Sequence, residues 1–210
     1  MRNSSTAIMV EGPAGFMIAV SVVDLLPEAI ERGGEGAAAT ALLGYLLVHL
    51  TQHVFARHFH FGEETHEVTP VVSASALVGL LLHTFVDGVA IASGFMVSAA
   101  LGLRVFGAVL LHKLPEGLAI SSLFLAAGAG RRAALGAAAA LGLATVAGVV
   151  VAEQLPGLGA HGLALSAGVT LYVAASNLVP EFQSKHGWRL PIAFFTGCGL
   201  YALARMAGGH

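Results

Sequence analysis

The chain has 210 residues, of which 56% are hydrophobic and only 10% charged, and its mean hydropathy is +0.81. Soluble domains carry about 25% charged residues, so this composition is made for lipid and excludes a water-soluble globular domain. A single cysteine, Cys198, excludes a disulfide framework and a thiolate-rich metal cluster, and a formal net charge of −2 gives no reason to expect a nucleic-acid partner.

A spanning helix needs about 20 mostly apolar residues. By that measure residues 1–210 read as a single all-α integral membrane domain, a bundle of about seven transmembrane helices. The start, Met1 to Thr6, is polar and leads to no small-residue cleavage site, so no cleavable signal peptide is expected. The first helix is predicted near residues 7–27, with Glu11 near its start and Asp24-Leu25-Leu26-Pro27-Glu28 closing it. The second, near 37–57, carries His49 and His53 one turn apart. A polar loop around His58–Thr69 follows, with His58, His60, Glu63, Glu64, His66 and Glu67. These histidines read either as an exit relay or sensing loop for a metal, or as incidental members of a solvated segment.

The third helix, near 71–97, and the fourth, near 101–127, hold the central pattern. Leu81–Ser93 (LLHTFVDGVAIAS) and Leu110–Ser122 (LLHKLPEGLAISS) are two copies of one motif. In each copy a His precedes a carboxylate by four residues, which puts both on one helix face, one turn apart. Ionisable groups inside apolar runs are expensive and mark sites. His83 and Asp87 with His112 and Glu116 would then form a mixed nitrogen and oxygen cage. Such a set suits zinc, ferrous iron or manganese, and the absence of thiolate argues against copper(I). Gly88 and Gly117 after the carboxylates would let helices approach closely. Pro115 removes one backbone hydrogen bond and should kink the fourth helix beside His112, freeing the Leu111 carbonyl. Thr84 and Lys113 occupy equivalent places directly after each His. A lysine at membrane depth costs roughly 3 kcal/mol unless paired. Lys113 would therefore either pair with Glu116 or Asp87, filling the place of a second cation, or snorkel along its helix.

The fifth helix is predicted near 133–152 with Glu153 at its end, the sixth near 162–180 and the seventh near 190–207. Asn177-Leu178-Val179-Pro180-Glu181 closes the sixth and echoes the end of the first. Echoes on helices that run oppositely are the mark of inverted repeats in secondary transporters, whose sites lie near the midplane. Lys and Arg set orientation. Arg2, Arg57, Arg131, Arg132, Lys185 and Arg189 fall on one side, and Arg32, Arg104 and Arg205 on the other. The count puts the N-terminus in the cytoplasm and the C-terminus outside. The Ala/Gly/Val-rich composition suggests a bacterial inner membrane.

The paired motifs His83-Thr-Phe-Val-Asp87-Gly88 and His112-Lys-Leu-Pro-Glu116-Gly117 resemble the fourth- and fifth-helix signatures of the ZIP metal transporters. Leu25–Glu28, the His-bearing loop and Leu171-Tyr172-Val173-Ala174 before Asn177 and Pro180-Glu181 are similar to that family too. The resemblance implies a divalent-cation uptake protein, with zinc the commonest substrate and iron or manganese as options. It implies His83, Asp87, His112 and Glu116 as the primary site; Thr84, Lys113, His49, His53, Asn177 and Glu181 are candidates for the pathway or for places behind the ligands. The family has eight spanning helices. The one absent from this count is expected to be the first, through a shortened gene start or a compact variant. No catalytic cofactor is expected. The implied partners are the metal ion and the lipid bilayer, with a homodimer left open. An intramembrane metal-dependent hydrolase also keeps His and Asp in lipid, but it needs a base for its water and no HExxH motif is present. A metal-binding sensor without transport is the third reading.

Overall fold

A computed structural model of the chain describes residues 13–51, 69–155, 159–178 and 188–208. The described residues form seven helices: α1 (Pro13–Gly33), α2 (Glu35–Leu50), α3 (Pro70–Val97), α4 (Ala99–Ala126), α5 (Arg131–Gln154), α6 (Gly159–Tyr172) and α7 (Arg189–Gly208). No strand occurs among them, and the molecule is an all-α membrane bundle. By length and composition α1, α3, α4 and α5 are each able to cross a membrane. On α5 the side chains of Leu135, Leu143, Val146 and Val150 are exposed. Such apolar faces belong against lipid rather than water.

Local chemistry explains where most helices begin and end. Thr69 caps α3: its hydroxyl accepts from the Val72 N–H at 3.3 Å, and Pro70 fills the first helical position, where no N–H is needed. Ser98 alone separates α3 from α4. It is extended (φ −160°, ψ 154°), and its hydroxyl accepts from the Leu101 N–H at 3.1 Å. The connection folds α4 back along α3 as a hairpin, which brings the two motif copies face to face. Gly128 ends α4 at φ 81°, where a side chain would be strained, and the Ala129 N–H closes the turn on the Phe124 carbonyl at 2.9 Å.

The sequence places the end of α1 at Pro27, and the structure corrects this. The helix runs on to Gly33 and stops at Gly34, whose φ of 63° suits glycine. Continuity is kept by a π turn at Val20–Leu25, where the Leu26 N–H bonds back to the Ser21 carbonyl. A proline lacks an N–H and its ring crowds the carbonyl four residues back. Widening the preceding turn is one way to relieve both. Helix α6 does the same: it continues from Tyr172 into a π turn at Val173–Leu178. The two π turns stand at equivalent places in the two sequence echoes, each ending two residues before a proline. Helix α4, by contrast, passes through Pro115 as one continuous helix.

Packing divides the helices. Helix α3 lies against α5 and α4, while α6 lies against α2 and α1; the two groups meet where α3 crosses α6. Glycines allow the closest crossings. A Cβ on Gly88 would strike the Thr145 carbonyl of α5, and one on Gly148 the Phe85 carbonyl of α3. Gly44 and Gly168 meet the Leu165 and Ala41 carbonyls in the same reciprocal way between α2 and α6. Gly117 has nothing within 4 Å of such a Cβ, so of the two motif glycines only Gly88 serves close approach.

Candidate metal centre

Four polar side chains lie buried midway along the α3–α4 hairpin: His83 and Asp87 from α3, His112 and Glu116 from α4. One donor atom from each lies within 4.8 Å of the others. Nitrogens and oxygens alternate around the group. His83 Nε2 is 2.9 Å from Glu116 Oε1, which is 3.8 Å from His112 Nε2. His112 Nε2 is 3.2 Å from Asp87 Oδ2, which returns to His83 Nε2 at 3.4 Å. Four ligands about 2.0–2.1 Å from a tetrahedral ion stand about 3.3 Å apart, and these four separations bracket that value.

The hydrogen inventory shows which atoms of the group can bind a cation. His112 Nδ1 is 2.8 Å from the Ala108 carbonyl oxygen. A carbonyl only accepts, so Nδ1 carries the hydrogen, and in the neutral ring Nε2 presents a bare lone pair. That lone pair faces Asp87 Oδ2, which as a carboxylate oxygen also only accepts. In the neutral ring two acceptors thus face each other across 3.2 Å, a contact that either a proton on Nε2 or a metal ion between them resolves. The Ala108 carbonyl is the kind of outer partner that fixes tautomer and ring orientation at metal-binding histidines. His83 is buried beside His112, with Nε2 2.9 Å from Glu116 Oε1 and Nδ1 without a hydrogen-bond partner.

Lys113 meets both carboxylates, Asp87 through the same Oδ2 that faces the imidazoles and Glu116 through Oε2, the oxygen the imidazoles leave free. Its Nζ donates to Asp87 Oδ2 at 2.5 Å and to Glu116 Oε2 at 2.9 Å, joining α3 to α4. Pairing with two carboxylates offsets the desolvation of the ammonium. With neutral imidazoles the five side chains carry a net charge of −1, which favours a divalent cation. Lys113 also lines a cavity of about 270 Å³ with Phe106, Leu110, Leu141 and Val146, on the flank of α4 and α5.

The other residues singled out in the sequence lie elsewhere. Thr84 is fully buried, but its hydroxyl turns to its own helix and donates to the Leu81 carbonyl at 3.1 Å. His49 is exposed on α2, with its ring 5.7 Å from that of Tyr172 on α6. The backbone of Asn177 belongs to the α6 π turn. Its side chain, His53, Glu181 and the histidines and acids from His58 to Glu67 lie outside the described residues.

The sequence profile of the family described as ZIP zinc transporter matches residues 60–205, well over half of the chain. The chain belongs to that family. Among curated proteins, none matches the chain. ZIP proteins carry divalent metals across membranes and are not enzymes. In this member the buried His/carboxylate group sits on two of the four helices able to span a bilayer.

One group escaped the sequence reading. Asp24, noted only as part of an echo, is buried in the α1 π turn with its Oδ2 2.7 Å from Arg104 Nε of α4. Arg205 Nε of α7 is 3.5 Å from its Oδ1. Asp24 and Arg104 each lie inside an apolar run, and that was the available signal.

Proposed function

We propose that this protein moves a divalent transition metal, zinc first among them, into the cytoplasm through one site made by His83, Asp87, His112 and Glu116. The observation that carries the reading is the buried group in which His112 Nε2 and Asp87 Oδ2 face each other, with donor atoms of His83 and Glu116 within 4.8 Å of both. A transition-metal ion satisfies both, accepts a third and fourth ligand from His83 and Glu116, and needs no thiolate. Mixed imidazole and carboxylate ligands bind zinc without the closed thiolate coordination that makes structural sites slow to release it.

Each side chain has a role. The imidazoles supply directional lone pairs, the carboxylates neutralise the ion's charge, and the Ala108 carbonyl holds the His112 ring in register. Lys113 fills the place of a second cation between Asp87 and Glu116, so the site takes one metal. Release toward the cytoplasm would pass His49 on α2 and then His53, in a bacterial inner membrane with the N-terminus inside.

Binding by the purified protein tests the site apart from flux. Isothermal titration should give one zinc per chain, and His112→Ala or Glu116→Ala should weaken it at least about a hundredfold, more than losing an outer partner does. Unchanged affinity in both variants would contradict the assignment. Tight binding without any flux in vesicles would instead favour a sensor.

A further inference from the structure

We infer that the Asp24–Arg104–Arg205 cluster is a latch that holds the Ser98 end of the bundle shut and parts during each transport cycle; this rests on the transport reading above. Three observations converge on it. The cluster joins three helices that are distant in sequence, with Asp24 on α1, Arg104 on α4 and Arg205 on α7. Helix α4 otherwise touches α1 and α7 only sparingly, its main partners being α3 and α5. The ion pair is thus a principal tie of α4, which carries two of the proposed ligands, to α1 and α7.

Position fits the role. Arg104 is near the start of α4, with its Nη1 next to Gly208 at the end of α7. His112 lies eight residues, about 12 Å of helical rise, deeper in the bundle. The cluster thus lies between the site and the Ser98 end. Its net charge of +1 repels a metal cation while closed. Its bonds are also of the type that can exchange: one carboxylate serves two guanidiniums, the second from Arg205 at 3.5 Å. Burial of Asp24 in a widened π turn, rather than in a regular helix, puts the carboxylate where a small helix rearrangement can withdraw it.

A reversible crosslink tests the latch. Asp24→Cys and Arg104→Cys are combined with Cys198→Ser in the full chain and reconstituted into vesicles. A short bis-methanethiosulfonate reagent is used, because an Asp–Arg contact spaces the backbones beyond a direct disulfide. Zinc uptake should fall at least about tenfold on crosslinking and return on reduction. Undiminished uptake by fully crosslinked protein, or failure to crosslink, would overturn the latch. If the parent chain itself moves no zinc, the transport reading fails, and hydrogen exchange then decides the latch separately. Arg104→Met should speed exchange in the Ser98-end halves of α1 and α4 about tenfold and leave α2 unchanged. The control Arg32→Met, which cuts an exposed pair to Glu28 within α1, should not. Equal exchange in both variants would overturn it.

Discussion

On the proposed reading, Lys113 sets how many metals the site takes. Its ammonium meets both Asp87 and Glu116, from α3 and α4, and on that reading it takes the space of a second ion. Replacing it with a ligand should open that space: Lys113→Asp is expected to raise bound zinc from one to two per chain, read by elemental analysis of purified protein. A ratio of one in that variant would mean that the lysine is only a structural counter-charge. The pairing was legible in the sequence as one of two options, because a lysine at membrane depth needs a partner. The Ala108 carbonyl was not legible, since any residue type offers a carbonyl and only the helix geometry selects this one. The latch was missed for a related reason: Arg104 and Arg205 were read as loop charges that report orientation. An arginine near a helix end is ambiguous until its partner, here 80 residues away, is known.

At the scale of the element, the duplicated His-x-x-x-carboxylate motif was readable because a spacing of four has one meaning on a helix. The α3–α4 hairpin then needs only Ser98 to bring the copies together. Helix ends were less readable. Pro27 looks like a terminator, yet α1 continues to Gly33, because a π turn absorbs what proline disrupts. Backbone bonding of that kind has no residue signature of its own. The echo between α1 and α6 nonetheless carried more than it showed, since both copies hold a π turn in the same place. Gly88 offers a test of how the site is supported. Its α-carbon faces the Thr145 carbonyl of α5 without room for a methyl group, so Gly88→Ala should push α5 away. We expect a loss of roughly 1–3 kcal/mol, the usual range for overpacking, measured by reversible unfolding in mixed micelles. Gly117→Ala, in open space, should change stability little. Equal losses in the two would contradict the packing described.

In the whole molecule, the proposed orientation rests on which charges are free to report it. Of the three positive residues counted on the minority side, Arg104 and Arg205 are tied to buried Asp24, and Arg32 to Glu28 at 2.5 Å. Each has a structural reason for its place, which strengthens the weight of the opposite cluster around Arg131 and Arg132. A C-terminal alkaline phosphatase fusion in a bacterial host is therefore expected to be active, and an inactive one would reverse the assignment. The membrane class was evident in composition alone, because a chain with 10% charge has too little polar surface for water. Which helices group together was not, since lipid-facing and helix-facing apolar residues look alike in sequence. The central claim is that one ion at a time crosses through the His83, Asp87, His112 and Glu116 group. Zinc uptake into proteoliposomes carrying an internal fluorescent indicator tests it most directly, with the parent chain set beside His112→Ala and Glu116→Ala. The expected result is saturable uptake by the parent and none above empty vesicles in either variant. Parental uptake that survives both substitutions would place the pathway elsewhere and contradict the account.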